Sequence, residues 1–134
     1  MDAADLTAAD LTTYVRAHPD AVVATLGPEG EPHAAYLPMV ATAIGELVFD
    51  ARDDSRKVAN IRRDPRVAVV LGGPDGTTVQ LQGTADEPAG DDLTRCAEAY
   101  RAAHPDSSIG SPGIVVVRVT PDWTRFGDYR RGAR

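Results

Sequence analysis

Cysteine, lysine and aromatic residues are scarce in this chain of 134 residues. Cys96 is the only cysteine, which excludes a disulfide framework and a cysteine-based zinc site within the chain. The three histidines are scattered, and their spacing does not resemble a set of metal ligands. We therefore expect no metal centre, and a small buried thiol at Cys96.

Long apolar runs and a positive net charge are also lacking. No apolar segment is long enough to cross a membrane, and the N-terminus lacks the basic and then apolar order of a secretion signal, so we expect a cytoplasmic protein without a membrane partner. The formal net charge of -6 at pH 7 argues against a nucleic-acid partner, because a general nucleic-acid binder carries a broad positive field. Basic residues instead concentrate at 52–66 and 125–134, which favours a small anionic ligand.

The sequence predicts one domain over residues 1–134. This length suits a single core, and a composition of 43% hydrophobic and 25% charged residues is that of a globular protein. Apolar residues at helical spacing predict an N-terminal helix within residues 1–19, at 7–17, and another at 91–103. A short helix is expected to begin at Ser55 and to end before Pro65. Residues 130–134 are expected to be a flexible tail.

Six strands are predicted, over residues 21–26, 33–41, 46–51, 66–71, 77–86 and 114–120. Tight turns join several of them, so we expect antiparallel pairing and a mainly β fold, a small barrel with short helices. The strand at 66–71 is apolar on both faces, which predicts that it is buried in a barrel or between layers, and the strand at 114–120 is again apolar. Pro38 cannot donate to a ladder, so its strand is expected to lie at a sheet edge or to be locally bulged there, with backbone groups of residues 36–40 free to bind a flat ligand.

The most informative segment is the start of the short helix. Ser55 is a good N-cap, which places Arg56 and Lys57 in the first turn, where cations oppose the helix dipole at a cost of roughly 0.3–1 kcal/mol each. An anion at this end would receive the free backbone N–H groups, the Ser55 hydroxyl and both charges, so the pattern predicts a phosphate site. Asp53 and Asp54 keep an alternative open, because they could neutralise the two cations with no ligand present.

Further candidate contacts lie on strand 77–86 and near the C-terminus. Thr78 and Gln80 share the polar face of that strand and offer hydroxyl and amide groups, although a solvent face has the same pattern. Trp123 is the only tryptophan and stands close to Arg125, in a cluster that could border a planar ligand. A lone tryptophan is also common in cores and interfaces.

Together these segments resemble the pyridoxamine 5'-phosphate oxidase-like flavin-binding split-barrel proteins, over residues 21 to 129. The most specific part runs from Ser55 to Val67, and it is similar to the Ser-Arg-Lys helix and the (Asn/Asp)-Pro-Arg-Val strand start of that family. The resemblance implies a six-stranded antiparallel split barrel that forms a homodimer, with two molecules of flavin mononucleotide (FMN) at the subunit interface.

The resemblance also implies which residues bind FMN. Arg56 and Lys57 are expected to hold its phosphate, assisted by Ser55. The other implied contacts are the strand whose backbone lines the flavin ring (Tyr36, Leu37, Pro38, Met39, Val40), the strand end beside the ribityl phosphate (Asp50, Ala51), the polar strand (Thr78, Gln80) and the C-terminal segment (Trp123, Arg125). Trp123 is expected to come from the partner subunit.

One departure from the family pattern bears on the substrate. The oxidases carry an Arg-x-His element that grips the vitamin substrate, whereas this chain has Arg125-Phe126-Gly127. We therefore do not expect oxidation of pyridoxamine phosphate. The resemblance favours an FMN-dependent oxidoreductase that acts on another small molecule. It leaves open a deazaflavin-dependent reductase and a non-enzymatic flavin or haem carrier, and it points to no side chain as a catalytic acid or base.

Overall fold

The computed structural model describes residues 6–130, and these form three helices and seven strands. The helices are α1 (Ala8–Ala17), α2 (Arg56–Arg63) and α3 (Gly90–Ala103). The strands are β1 (Asp20–Leu26), β2 (Pro32–Pro38), β3 (Val40–Ala41), β4 (Leu47–Arg52), β5 (Arg66–Gly72), β6 (Thr77–Asp86) and β7 (Ile114–Asp128). Apart from Arg130, the predicted tail lies outside the described residues.

Local signals set the ends of the helices, and all three predicted helices are confirmed. The Thr7 hydroxyl caps α1 by accepting the Asp10 N–H at 3.0 Å, and the Ser55 hydroxyl caps α2 by accepting the Val58 N–H at 3.4 Å. His18 and His104 follow the last residues of α1 and α3, and each stands before a proline that cannot continue the helix.

The sheet curls until its two edges meet. Its strand order is β2-β1-β5-β6-β7-β4-β3, and every pair is antiparallel. β2 and β3 lie at opposite ends of this order, yet only Met39 separates them in the chain. Consecutive Cα atoms are about 3.8 Å apart, so Pro38 and Val40 are within about 7.6 Å of each other. A flat sheet cannot satisfy this distance, and the result is a half-barrel.

The expected count of six strands is wrong, because the predicted strand at 33–41 is divided. Its first part pairs with β1 and its second part pairs with β4. Pro38 ends β2 at an edge of the sheet, which confirms the edge position expected from proline. The last strand is also longer than the expected 114–120, because it pairs first with β4 and then with β6 as far as Asp128.

Two apolar clusters hold these elements together. The larger one fills the inside of the curl, where Phe49 and Leu81 from the sheet meet Val15 of α1 and Val58 of α2. The smaller one lies outside β4 and β7 and is covered by α3, whose buried residues are Cys96, Ala97 and Tyr100. The expectation of a buried thiol at Cys96 is confirmed.

The two apolar strands differ in how their outer faces are covered. Over residues 114–120, the inner face of β7 packs in the core and Val116 packs under α3. In β5, Val67 and Val69 are buried, but Ala68 and Val70 are exposed on the outer face. The prediction for 66–71 is therefore wrong within one chain, because no helix of the described residues covers that face.

An ion-pair network fastens α3 to the sheet. The Glu46 carboxylate accepts two bonds of 2.8 Å from Arg95 of α3 and one of 3.1 Å from Arg118 of β7. Arg118 also donates to Asp86 of β6 at 2.7 Å. The bonds from Arg95, followed by those from Arg118 and Thr42, outweigh burial and hold the pKa of the Glu46 carboxyl at about 2.

We predict that Glu46→Gln lowers the free energy of unfolding by about 1.5–3 kcal/mol near neutral pH, because the charge-assisted bonds are lost. The pKa of Glu46 is about 2 in the folded protein, below its usual 4.5. Its contribution is therefore complete above about pH 4.5 and is lost as the pH falls towards 2. Urea unfolding at several pH values checks this. The exposed Glu98→Gln on the same helix is the control, and equal losses in both variants would contradict the prediction.

Candidate functional site

An opening separates β2 from β4 where the curled sheet closes. β3 pairs with β4 through Val40 with Val48 and Ala41 with Leu47. Continuing this register by two residues places Pro38 opposite Asp50, but at this point β2 has turned away to pair with β1. Neither facing edge has a strand partner there among the described residues, so both present unpaired backbone groups to the opening.

Several predicted cofactor-binding residues line this opening with their backbone only. Their side chains are buried in the two apolar clusters: Leu37, Met39, Val40 and Ala51. The Met39 N–H donates to the Pro19 carbonyl at 2.7 Å, Val40 pairs with β4, and residues 36–38 pair on one edge with β1. The expectation that the backbone groups of residues 36–40 are free is therefore wrong for these groups. The Tyr36 side chain is 71% exposed and lies on the outer face of the sheet.

The start of α2 lies beside the opening, because β4 runs into this helix through residues 53–55. Arg56 and Lys57 occupy its first two positions, and no acidic residue lies in its first turn. Within residues 6–130, neither side chain forms a hydrogen bond or an ion pair. Two unpaired cations thus accompany the N–H groups of a helix N-terminus, which is the arrangement that binds phosphate.

The alternative explanation of these two cations depended on the neighbouring carboxylates, which are engaged elsewhere. Asp53 accepts from Arg62 at 2.6 Å, and Asp54 accepts two bonds of 3.1 Å from Arg52. Arg62 also bonds to Glu87 at 2.7 and 2.8 Å. Each acid therefore has its own arginine, and neither neutralises the first turn of α2.

Asp50 has a structural partner. Its carboxylate accepts the Tyr100 hydroxyl at 2.9 Å, so the side chain faces α3 on the outside of β4. Burial, with a smaller contribution from Asp50, raises the pKa of the Tyr100 hydroxyl. The backbone at Asp50 still borders the opening, whereas its carboxylate is bound to α3.

A β-bulge decides which side chains of β7 face outwards near the C-terminus. Gly83 pairs with Pro121 and Gln82 pairs with Trp123, so Asp122 is an extra residue that reverses the alternation of β7. A side chain at position 83 would collide with the carbonyl of Thr120, which explains the glycine. Because of the bulge, Trp123 and Arg125 lie on the outer face, opposite Gln82 and Gln80.

The predicted site residues therefore form two groups. The first surrounds the opening and comprises residues 36–40, 50–51 and 55–57. The second lies on the outer face of β6 and β7 and comprises Thr78, Gln80, Trp123 and Arg125. Paired positions run from Tyr36 through Val22 and Val70 to Gln80, three strand steps of about 4.8 Å each. One chain alone does not bring the two groups together.

Sequence reasoning missed the pair that His18 forms with Asp75 near Tyr36. His18 Nε2 lies 2.6 Å from Asp75 Oδ2, and His18 Nδ1 lies 3.0 Å from the Tyr14 carbonyl oxygen. Both partners accept, so both ring nitrogens donate and the ring is an imidazolium. Burial lowers the pKa of His18, but the bonds to Asp75 and Tyr14 outweigh it and the net pKa is raised. The ring is therefore a structural cation that joins the end of α1 to the β5–β6 turn. No local sequence motif predicts this contact, because its two residues are far apart in the chain.

We predict that His18→Gln destabilises the protein most near pH 6 and least near pH 9. The folded-state pKa of His18 lies above its usual 6.5, so the contribution is complete below that value and is lost as the pH rises through the raised pKa. Urea unfolding across this range measures it. His104→Gln, at the corresponding position after α3, is the control. A cost that does not change with pH would contradict the charged state of His18.

Comparison with known proteins gives a consistent result. The sequence profile described as pyridoxamine 5'-phosphate oxidase matches residues 8–127. Among curated proteins, no sequence matches the chain. One similar solved structure is the conserved hypothetical protein Rv2991 from Mycobacterium tuberculosis, with a TM-score of 0.76, 26% identity, and coverage of 95% of this chain and 88% of that one.

Two further solved structures share the fold. A heme binding protein from Mycobacterium smegmatis has a TM-score of 0.76 and 24% identity, and the match covers 96% of this chain and 57% of that one. An F420 reductase has a TM-score of 0.57 and 20% identity, and the match covers 78% of this chain and 87% of that one. At these identities the likeness shows the fold alone.

Two negative findings complete the description. None of the helices within residues 6–130 is long and apolar enough to cross a membrane. In the same part of the chain, histidine, cysteine and acidic side chains form no cluster that could hold a metal ion.

Proposed function

This chain belongs to the pyridoxamine 5'-phosphate oxidase family, and on that premise we propose that it binds FMN and acts as a flavin-dependent oxidoreductase on a small molecule. The observation that carries the proposal is the pair of unpaired cations at the start of α2, beside the opening of the sheet. Asp53 and Asp54 are engaged by other arginines, so this charge is available to an anion. We also propose a cytoplasmic location, on the sequence grounds given above.

The residues at the opening fit the two ends of FMN. Arg56 and Lys57 would bind the phosphate, together with the Ser55 hydroxyl and the first N–H groups of α2. Backbone groups of residues 36–38 on the edge of β2 that faces away from β1 would bond the polar edge of the ring. A bound flavin supplies hydride chemistry, and the protein holds it and limits access to it.

We propose that two copies of the chain form a homodimer through the outer face of the sheet. This surface carries small and apolar side chains in two rows across β2, β1 and β5: Ala34, Ala24 and Ala68, and Tyr36, Val22 and Val70. The apolar pattern of β5 resembles that of β7, where α3 covers the second face. A second copy would cover β5 in the same way, and it would place its own Trp123 and Arg125 near the opening of the first.

The proposed substrate is not pyridoxamine phosphate. Gly127 stands where the resemblance to the oxidases of the family places the histidine that grips their substrate. His18 is not free to act as an acid or base, because both of its ring nitrogens are engaged. We therefore assign no catalytic side chain, and the residues named here bind and orient.

Deazaflavin and haem are the alternatives, since the fold is shared with an F420 reductase and a heme binding protein. An acidic protein with one small basic site is a less suitable host for the longer acidic tail of a deazaflavin. The absorbance spectrum of the purified protein, before and after addition of each cofactor, distinguishes the three. Reduction of bound flavin by NADPH with turnover on an acceptor would separate an enzyme from a carrier.

We predict that the double variant Arg56→Ala, Lys57→Ala weakens FMN binding by about a hundredfold or more, because each ordered charge-assisted contact contributes roughly 1.5–3 kcal/mol. Fluorescence titration of FMN measures the effect. The matched control is Arg16→Ala with Arg101→Ala, which removes two positive charges that have no ion-pair partner within residues 6–130. Equal affinities of the two double variants would contradict the phosphate assignment.

We predict that Val70→Glu converts the dimer to a monomer, because the carboxylate would be buried in the proposed interface without a partner. Analytical ultracentrifugation measures the mass. The matched control is Leu93→Glu on α3, since Leu93 and Val70 are both 38% exposed in the single chain. A monomeric wild-type protein, or dissociation by both variants, would contradict an interface at the outer face.

A further inference from the structure

Asn60 is a buried polar residue in the apolar face of α2. Its side chain is 2% exposed, and its neighbours on the helix, Val58 and Ile61, belong to the main core. The amide nitrogen Nδ2 lies 2.9 Å from the Thr25 hydroxyl and 2.9 Å from His33 Nδ1. This one side chain therefore joins α2 to both β1 and β2.

Arg63 fixes the orientation of the Asn60 amide. Arg63 Nη2 lies 2.7 Å from Asn60 Oδ1 and 3.2 Å from the Leu26 carbonyl oxygen. A guanidinium can only donate, so the amide atom that faces it must be the oxygen. The amide nitrogen then faces Thr25 and His33, and it can only donate to them.

The protonation state of His33 follows from this orientation. Because Asn60 Nδ2 donates, His33 Nδ1 must accept, so this nitrogen carries no proton and the ring is neutral with its proton on Nε2. His18 is the opposite case, since both of its ring nitrogens face acceptors. The same residue type is thus held in two charge states within one fold.

A proton on His33 Nδ1 would break this arrangement. Two donors would then face each other at 2.9 Å. Rotating the amide does not relieve the conflict, because its NH2 group would then face the guanidinium of Arg63. A protonated ring therefore repels Asn60, and α2 loses its connection to β2.

Two charged groups of the described residues lie near the His33 ring. Glu31, in the turn before β2, has Oε2 at 3.9 Å from His33 Nε2. Arg63 of α2 is bonded to the same amide as the ring. The contact from β1 is the neutral Thr25, which also bonds to the Asn60 amide. Histidine is the residue type whose charge ordinarily changes between about pH 5 and 8, so a contact that requires a bare Nδ1 can respond to pH in that range.

We propose that the Asn60–His33 contact is a proton-sensitive latch that positions the start of α2. Ser55, Arg56 and Lys57 lie within about one and a half turns of Asn60, so loss of the latch displaces the anion-binding turn. Acidification therefore weakens the binding of a phosphate-bearing ligand at Arg56 and Lys57. The expected effect on ligand binding rests on the proposed function, whereas the Asn60–His33 latch does not.

The first test needs no ligand. Nitrogen NMR of the histidine rings of the full chain reports which ring nitrogens carry protons, and we expect a bare Nδ1 on His33 but two protonated nitrogens on His18 at about pH 7. Amide exchange of residues 58–63, corrected for the intrinsic pH dependence of exchange, should show weaker protection at about pH 5.5 than at about pH 7.5. His33→Gln provides a carbonyl acceptor that does not titrate, so its protection should not change.

The second test measures FMN affinity of both proteins over the same range. The phosphate of FMN titrates near pH 6, so affinity falls in both proteins. The difference between the two curves isolates the latch. We expect the wild-type affinity to fall about tenfold further than that of His33→Gln, as loss of about one hydrogen bond allows.

The outcomes separate the latch from the proposed function. A proton on His33 Nδ1 at about pH 7, or loss of α2 protection on acidification that is equal in both proteins, overturns the latch. Parallel affinity curves for the two proteins overturn its control of the anion site. Absence of FMN binding at any pH counts against the proposed function, while the ring spectra and amide exchange still decide the latch.

Discussion

The closure of the sheet at Met39 is the constraint on which the rest of the structure depends. β2 and β3 follow one another in the chain, but they pair with strands at opposite ends of the sheet order, so the sheet must curl. Pro38 has no N–H to donate, and a ladder ends there at little cost. The same change of partner creates the opening between β2 and β4. Because β4 leads directly into α2, the start of that helix lies beside the opening.

Coverage of the sheet accounts for the rest of the architecture. The inner face is filled by the core with α1 and α2, and α3 covers the outside of β4 and β7, where the Glu46 network fastens it. No element of the described residues covers the outside of β1 and β5. The bulge at Asp122 turns Trp123 and Arg125 towards that same uncovered face. The residues implied in flavin binding are therefore divided between an opening and an outer face, which a two-fold pair of chains would unite.

Pairing among neighbouring charges decides which basic residues remain for a ligand. In the segment 52–66, Arg52, Arg62 and Arg66 each bond to an aspartate close by in the sequence. Arg63 bonds to an amide and a carbonyl oxygen. Arg56 and Lys57 differ because they occupy the first turn of α2. The N–H groups at this helix end also carry partial positive charge, so they add to the two side-chain charges. Local composition shows a basic cluster, and the pairing leaves Arg56 and Lys57 as the cations proposed to bind an anion.

The sequence by itself determined the three helices, the edge position of Pro38, the polar face of β6 and the cationic turn at Ser55, because caps, prolines and alternation act over a few residues. It also carried the resemblance to the family. The tertiary structure decided the division of strand 33–41, the exposure of Ala68 and Val70, and the partners of Asp53 and Asp54. It alone placed His18 between two acceptors and His33 beside the Asn60 amide. Apart from the partners of Asp53 and Asp54, which lie within one short segment, these features depend on residues that are distant in the sequence and come into contact only when the chain folds. No local pattern encodes such contacts.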